Sequence, residues 1–169
     1  MRVPTKTLFL VAALTLGPAL VAGCGSSSPS SSERPAVITW SPAGTFGTKP
    51  TVLVPASGLP PTALQIHDLI VGTGAIAAPG HQVTVQYVGY SWTTKKQFDA
   101  SWDRNQTFPF TLGVHQVIQG WDEGVAGMKV GGRRELIIPP ALAYGASSPG
   151  AGIAPNDTLI FVVDLVSVG

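Results

Sequence analysis

Cysteine is almost absent from this 169-residue chain, and charge is scarce. Cys24 is the only cysteine, so the chain forms no internal disulfide and this residue needs another role. Only 11% of the residues are charged, while the chain has 20 Gly and 15 Pro. These values exclude a charge-rich disordered protein, a coiled coil and a highly helical bundle.

An excess of basic charge is also missing. Lys and Arg total 10 against 9 Asp and Glu, and two of the basic residues, Arg2 and Lys6, lie at the start of the chain. The remainder is slightly acidic, so no basic surface is expected to neutralise a row of phosphates, and nucleic acid is not expected as a partner. The length allows one domain of about 100 to 150 residues with appendages.

The first 23 residues have the layout of a secretory signal. Arg2 and Lys6 precede an apolar run from Leu8 to Ala22, which is shorter than the roughly 20 residues of a membrane-spanning helix. The run ends in Leu20-Val21-Ala22-Gly23-Cys24, which resembles the lipobox of bacterial lipoproteins. We therefore expect lipidation at Cys24 and an extracytoplasmic, membrane-anchored protein.

Residues 24–63 are predicted to form a tether followed by an extended arm. Residues 25–32 are mostly Ser and have no apolar side chain to bury, which is typical of a flexible linker. Apolar residues return from Val37, but five prolines between positions 42 and 61 exclude a continuous helix. A short strand is expected at Thr51–Val54, and Trp40 and Phe46 are expected to pack on the domain.

The compact domain is predicted to span residues 64–169. Alternating apolar residues and flanking turn residues predict strands at Leu64–Ile70, His81–Tyr87, Phe108–Leu112, Arg134–Ile138 and Thr158–Val166. One helix, about Gln116–Gly124, follows from apolar residues at helical spacing. The sequence therefore predicts an α+β domain in which an antiparallel sheet wraps around one short amphipathic helix.

The sequence lacks the usual catalytic and cofactor motifs. His67, His81 and His115 are too far apart in sequence for a close-paired zinc motif, and no nucleophile elbow, Walker loop or dinucleotide fingerprint is present. No metal or cofactor is expected. Aromatic residues near the turns exceed what a core of this size needs, which suggests an apolar pocket.

A series of short motifs in this domain resembles the FKBP-type peptidyl-prolyl cis-trans isomerases. The motifs run in order along the chain and include Val85-Gln86-Tyr87, Phe98-Asp99-Ala100-Ser101, Phe108-Pro109-Phe110, Gln116-Val117-Ile118-Gln119-Gly120-Trp121, Ile138-Pro139-Pro140, Leu142-Ala143-Tyr144-Gly145 and Leu159-Ile160-Phe161. The resemblance covers about Leu64 to Gly169. It implies a half-barrel of five or six antiparallel strands with a proline pocket between the sheet and the helix.

The resemblance also implies the site residues. Residues matching the catalytic positions of the family are Tyr87, Phe98, Asp99, Trp121, Tyr144 and Phe161. Residues matching its substrate-binding positions are Arg104, Phe108, Gln116, Val117, Ile118 and Ile153. Gln116 replaces a glutamate of the prototype, and the loop at Ser147–Ala151 lacks the histidine often found there.

The implied activity is isomerisation of X-Pro bonds in exported polypeptides, by desolvation in an apolar pocket without covalent or metal chemistry. The resemblance implies that tacrolimus and rapamycin inhibit this activity, and we expect a monomer. One alternative remains open, a non-enzymatic chaperone or envelope scaffold that holds proline-containing segments in the same pocket. Trp121 and Tyr144 favour the enzyme, because a pocket used only for holding does not need this aromatic floor.

Overall fold

The computed structural model describes residues 33–169. The expected signal sequence, Cys24 and the serine-rich tether up to residue 32 lie outside the described residues. Six strands and one α-helix follow in the order β1 (Gln65–Ile70), β2 (Gln82–Ser91), β3 (Gln97–Ala100), β4 (Phe108–Thr111), α1 (Gln119–Val125), β5 (Arg133–Ile138) and β6 (Leu159–Val168). The predicted α+β class, an antiparallel sheet of five to six strands with one short helix, is confirmed.

All strand pairs in the sheet are antiparallel, in the order β1-β5-β6-β2-β3, with β4 also paired to β2. The ten-residue β2 pairs along one edge with β6. Its other edge is shared, because its first half pairs with β4 and its second half with β3. Tyr87 lies where the partner changes from β4 to β3. Strand β3 was not predicted, because only four residues separate two turns and they show no clear alternation.

Helix α1 packs against β5 on the concave face of the sheet. Two glycines one helical turn apart make this close approach possible: a Cβ at Gly120 would lie 2.3 Å from Ile138 Cγ2, and one at Gly124 would lie 2.7 Å from Leu136 Cδ2. The helix begins at Gln119, three residues later than predicted. Gly113 and His115 have positive φ angles, so the preceding segment turns instead of extending the helix.

The main core lies between this helix and the concave face. It contains Val85, Trp121, Leu136, Phe161 and Leu165, all at most 4% exposed. Because side chains alternate along a strand, the neighbouring residues on the same strands point to the convex face. There Ile137 and Ile160 join Trp92 in a second apolar cluster.

The N-terminal arm covers the convex face. Ala36, Ile38 and Trp40 pack on the second apolar cluster, and the Trp40 ring stacks on that of His67 with 4.5 Å between centroids. The predicted strand at Thr51–Val54 is wrong, because this segment contacts the sheet through side chains and forms no ladder hydrogen bonds. The Phe46 side chain, which was expected to pack, is 37% exposed.

Charged side chains of the sheet bind backbone atoms of the arm. Arg133 and Asp164 are fully buried, with Arg133 Nε 2.5 Å from Asp164 Oδ1. The Arg133 guanidinium also donates to Ala43 O at 2.9 Å and Thr48 O at 2.6 Å, and Gly47 N donates to Asp164 Oδ2 at 2.8 Å. The charges of this pair are therefore compensated partly by the arm.

A third buried charge, Glu135, contacts the arm in the same way. Its Oε2 accepts a hydrogen bond from Ser41 N at 2.7 Å. Burial raises the pKa of Glu135, and the hydrogen bond from Ser41 opposes that shift.

Within residues 33–169, no helix is long and apolar enough to cross a membrane.

Candidate active site

An open cavity of about 200 Å³ lies between the concave face and the segment that leads into α1. Ten residues line it: Tyr87, Phe98, Asp99, Phe108, Gln116, Val117, Ile118, Trp121, Tyr144 and Phe161. The cavity is smaller than the roughly 300–1,000 Å³ of a site for a drug-sized ligand. Its size suits one ring and the atoms next to it.

Trp121 forms the floor of the cavity. Its ring packs edge to face with those of Tyr87, Phe108 and Phe161, at centroid distances of 5.1, 6.1 and 5.2 Å. Edge-to-face contacts of this kind fix ring orientation. The floor is therefore a rigid aromatic surface, with the indole held from several sides.

Gly89 explains why two aromatic rings meet at one end of the cavity. A Cβ at this position would lie 2.6 Å from Phe98 Cζ and 2.8 Å from Phe161 Cε1. Without it, the Phe98 and Phe161 rings approach edge to face at 5.5 Å. Strand β2 thus supplies Tyr87 to the cavity and, two residues later, the space that these rings occupy.

Three polar side chains form a network at the rim. The Tyr87 hydroxyl donates to Asp99 Oδ2, Arg104 Nη1 forms an ion pair with Asp99 Oδ1, and Arg104 Nη2 lies 3.0 Å from the Tyr87 hydroxyl. Arg104 does not line the cavity but holds two residues that do. The network fixes both the Tyr87 ring and the Asp99 carboxylate.

The same contacts set the ionisation of the network. Burial and the hydrogen bond to Asp99 raise the pKa of Tyr87 to about 12. Burial alone would raise the pKa of Asp99, but the hydrogen bonds from Arg104 and Tyr87 hold it below its ordinary value. The pKa of Arg104 is raised further by its hydrogen bonds to both partners. Because no member titrates near neutral pH, the network does not suit a general base working there.

Tyr144 also lies at the rim of the cavity and is 40% exposed. Among residues 33–169, its hydroxyl has no hydrogen-bond partner. Burial, with the nearby charge of Asp99, raises the pKa of Tyr144, so the hydroxyl is a neutral donor at physiological pH. It is available to a ligand carbonyl.

Ile153 is not among the residues lining the cavity. It is 7% exposed and packs into the main core. The loop around it is held by the Ser148 hydroxyl, which donates to Ile153 O at 2.5 Å, and by the buried Asp157, whose Oδ2 accepts from Ala154 N at 3.2 Å. Ile153 thus belongs to the core that also contains the cavity residues Trp121 and Phe161.

Two side chains missed by the sequence reasoning support the walls. Ser101 Oγ accepts from Tyr87 N at 2.8 Å, where β2 changes partner. Asp122 accepts from Gly113 N and His115 N, at 2.8 and 3.0 Å. The signal that could have found Asp122 was an acidic residue on the apolar face of an amphipathic helix, next to Trp121.

The arrangement favours a binding cavity for a ring with a carbonyl next to it. Its walls are mainly aromatic and aliphatic, and the polar groups are confined to the rim. In the described part of the chain, no group of three or more His, Cys, Asp or Glu side chains is placed to hold a metal ion.

Comparison with known proteins assigns the family. The family model described as FKBP-type peptidyl-prolyl cis-trans isomerase matches residues 74–166. An FK506-binding protein of Streptomyces anulatus is 56% identical over 121 residues, which cover 71% of this chain and 97% of that protein. A probable FK506-binding protein of Corynebacterium glutamicum is 50% identical over 119 residues, with 70% and 98% covered.

Solved structures agree with the sequence match. The crystal structure of AtFKBP13 aligns with a TM-score of 0.57 at 34% identity, covering 66% of this chain and 97% of that one. That of FkpA from Escherichia coli aligns with a TM-score of 0.58 at 39% identity, covering 63% and 48%. The chain therefore belongs to the FKBP-type peptidyl-prolyl cis-trans isomerases.

Proposed function

We propose that the chain isomerises X-Pro bonds of exported polypeptides, with the proline ring on Trp121 and the preceding carbonyl at the Tyr144 hydroxyl. The observation that carries the proposal is the aromatic cavity with one unpartnered donor at its rim. Asp99, Gln116 and the aliphatic pair Val117 and Ile118 complete the surface offered to the substrate.

Desolvation supplies the rate enhancement in this proposal. Rotation about the X-Pro bond is opposed by amide resonance, with a barrier of roughly 18–20 kcal/mol. Twisting removes the resonance and makes the carbonyl less polar, so an apolar cavity favours the twisted state over the hydrated planar one. Lowering the barrier by about 5 kcal/mol would accelerate the reaction on the order of 10³- to 10⁴-fold.

Macrolides provide a direct test. The bacterial relatives are named for binding FK506 (tacrolimus), and we propose that tacrolimus and rapamycin bind here with one ring in the same cavity and the rest of the macrolide outside it. The assay is isomerisation of a Leu-Pro peptide by the full chain, with tacrolimus added in increasing amounts. Catalysis suppressed by stoichiometric macrolide would support the proposal. Catalysis without inhibition would place the reaction outside the cavity, and binding without catalysis would indicate a holding module.

Replacing Tyr144 by phenylalanine is expected to lower kcat/KM about tenfold or less. The change removes one neutral hydrogen bond, worth about 0.5–1.5 kcal/mol, and leaves the ring in place. The measurement is the Leu-Pro assay, with circular dichroism as the control for folding. Complete loss of activity would contradict desolvation and point to acid catalysis by the hydroxyl.

We further propose that the protein acts at the outer side of a bacterial membrane, anchored through a lipid on Cys24. The support is the lipobox-like segment ending at Cys24 and the serine-rich tether after it. Replacing Cys24 by serine is expected to move the protein from the membrane fraction to the soluble fraction, with isomerase activity unchanged. Cell fractionation with immunoblotting measures this, and unchanged membrane association would refute the anchor.

A further inference from the structure

One wall of the cavity is built on a segment without regular secondary structure. Residues 112–118 connect β4 to α1, and Gln116, Val117 and Ile118 from this segment line the cavity. The backbone turns sharply, with φ of +78° at Gly113 and +59° at His115. A non-glycine residue with positive φ is held there only by its surroundings, so the conformation of this wall needs a cause.

The carboxylate of Asp122 lies at the centre of this turn. Gly113 N donates to Oδ1 at 2.8 Å and His115 N donates to Oδ2 at 3.0 Å, so each oxygen holds one backbone amide. Asp122 is only 9% exposed, and it follows the floor residue Trp121 directly in α1. Hydrogen bonds to a charged acceptor are roughly twice as strong as neutral ones.

A second hydrogen bond ties the same segment to the end of β4. Gln116 Oε1 accepts a hydrogen bond from Thr111 N at 2.8 Å, which ties the wall to the end of β4. The wall is thus fixed at three backbone amides by two side chains. Only Asp122 also belongs to the helix that carries the floor.

We infer that Asp122 is a positioning residue for isomerisation: its carboxylate holds the wall segment 113–118 in register with the Trp121 floor. Asp122 does not line the cavity and acts through Gln116, Val117 and Ile118. The inference rests on the proposal that proline binds in this cavity. Without the carboxylate, the wall would have to be ordered each time a substrate binds. The entropy cost of this ordering would weaken substrate binding.

The test compares two neighbouring positions of α1. Asp122→Asn keeps the size of the side chain but replaces one acceptor oxygen by a donor, which faces a backbone amide. Asp122→Glu keeps the carboxylate. The control is Glu123→Gln, because Glu123 is exposed and, among residues 33–169, its carboxylate accepts one hydrogen bond, from Gln119 Nε2 at 2.7 Å. For each full-length variant, kcat and KM for a Leu-Pro peptide, the melting temperature and amide exchange are measured.

Asp122→Asn is expected to lower kcat/KM about tenfold, mostly through KM, which corresponds to ~1.4 kcal/mol of lost affinity. Faster amide exchange at Gly113 and His115 should accompany the loss. Asp122→Glu should recover most of the activity. Glu123→Gln should change neither kcat/KM nor the amide exchange at Gly113 and His115. A lower melting temperature with unchanged kcat/KM would show a merely structural role and overturn the inference.

Two further outcomes keep the inference separate from the proposed function. If Trp121→Leu leaves the activity unchanged, the cavity is not the site and the proposed function fails first. If Trp121→Leu lowers the activity but Asp122→Asn does not, only the positioning role fails. Should Asp122→Asn not fold, amide exchange in the parent protein decides, because fast exchange at Gly113 and His115 would overturn the inference without any variant.

Discussion

Replacing Arg133 by alanine is expected to lower the free energy of unfolding by about 3–5 kcal/mol. The change leaves Asp164 as a fully buried charge without its partner, and it removes the donor to Ala43 O and Thr48 O. The free energy of unfolding of a typical domain is about 5–15 kcal/mol, so the expected loss is a large fraction of the total stability. Urea unfolding followed by circular dichroism measures it.

Lys49→Ala is the matched control, because it breaks another ion pair between the arm and the domain. Lys49 Nζ lies 2.5 Å from Asp103 Oδ1, and both side chains are well exposed. Exposed pairs of this kind contribute about 0–1 kcal/mol. Equal effects of the two variants would show that the buried pair is not what stabilises the docked arm.

A double variant separates the charge from the packing. Arg133→Met with Asp164→Leu removes both charges and leaves apolar side chains of similar size. Replacement of a buried ion pair by apolar residues is often neutral or stabilising, so the double variant should be more stable than Arg133→Ala. A double variant less stable than the single one would show that Asp164, which accepts a hydrogen bond from Gly47 N at 2.8 Å, stabilises the docked arm even without Arg133.

Replacing Trp121 by leucine is expected to lower kcat/KM on the order of 100-fold. Without the indole floor, the three ring CH2 groups of a bound proline lose their burial, which is worth about 0.8 kcal/mol each, or about 2.4 kcal/mol together. Leucine keeps an apolar side chain in the core, whereas alanine would itself cost about 3–5 kcal/mol of stability. Isomerisation of a Leu-Pro peptide and tacrolimus affinity are the measurements.

Trp40→Leu is the control for this second prediction. It is the same substitution, tryptophan to leucine, made on the convex face. There Trp40 stacks on His67, away from the cavity. Its replacement should lower stability while leaving kcat/KM of the folded protein unchanged. A Trp121→Leu variant with full activity and unaltered tacrolimus binding would move the site away from the cavity.

Much of the sheet could be predicted because its signal is local. Alternation along Gln82–Tyr87 marks a strand with one buried face, and the same pattern marks β6. The cavity residues could be found only through the resemblance, because Phe98 and Phe161 look like ordinary core residues until Gly89 brings their rings together. The two rings approach each other because β3 and β6 both pair with β2, and this pairing cannot be predicted from the sequence of one strand alone.

The start of α1 and the place on the sheet where the arm docks could not be predicted, for different reasons. Val117 and Ile118 have helical spacing with Trp121, but the Asp122 carboxylate competes for the preceding amides and holds a turn there. The arm is recognised through its backbone, since Arg133 binds the carbonyl oxygens of Ala43 and Thr48. Backbone recognition leaves almost no pattern in side-chain sequence.

The arm also determines from which side the polypeptide enters the fold. Ala36, Ile38 and Trp40 pack on the convex face of the sheet, whereas the cavity lies on the concave face. Anything joined to the chain ahead of residue 33, such as a resin, a sensor chip or a fusion partner, is therefore attached at the rear. Immobilisation through the N-terminus should leave the mouth of the cavity open to large unfolded clients, whereas attachment through surface residues near the rim should block it.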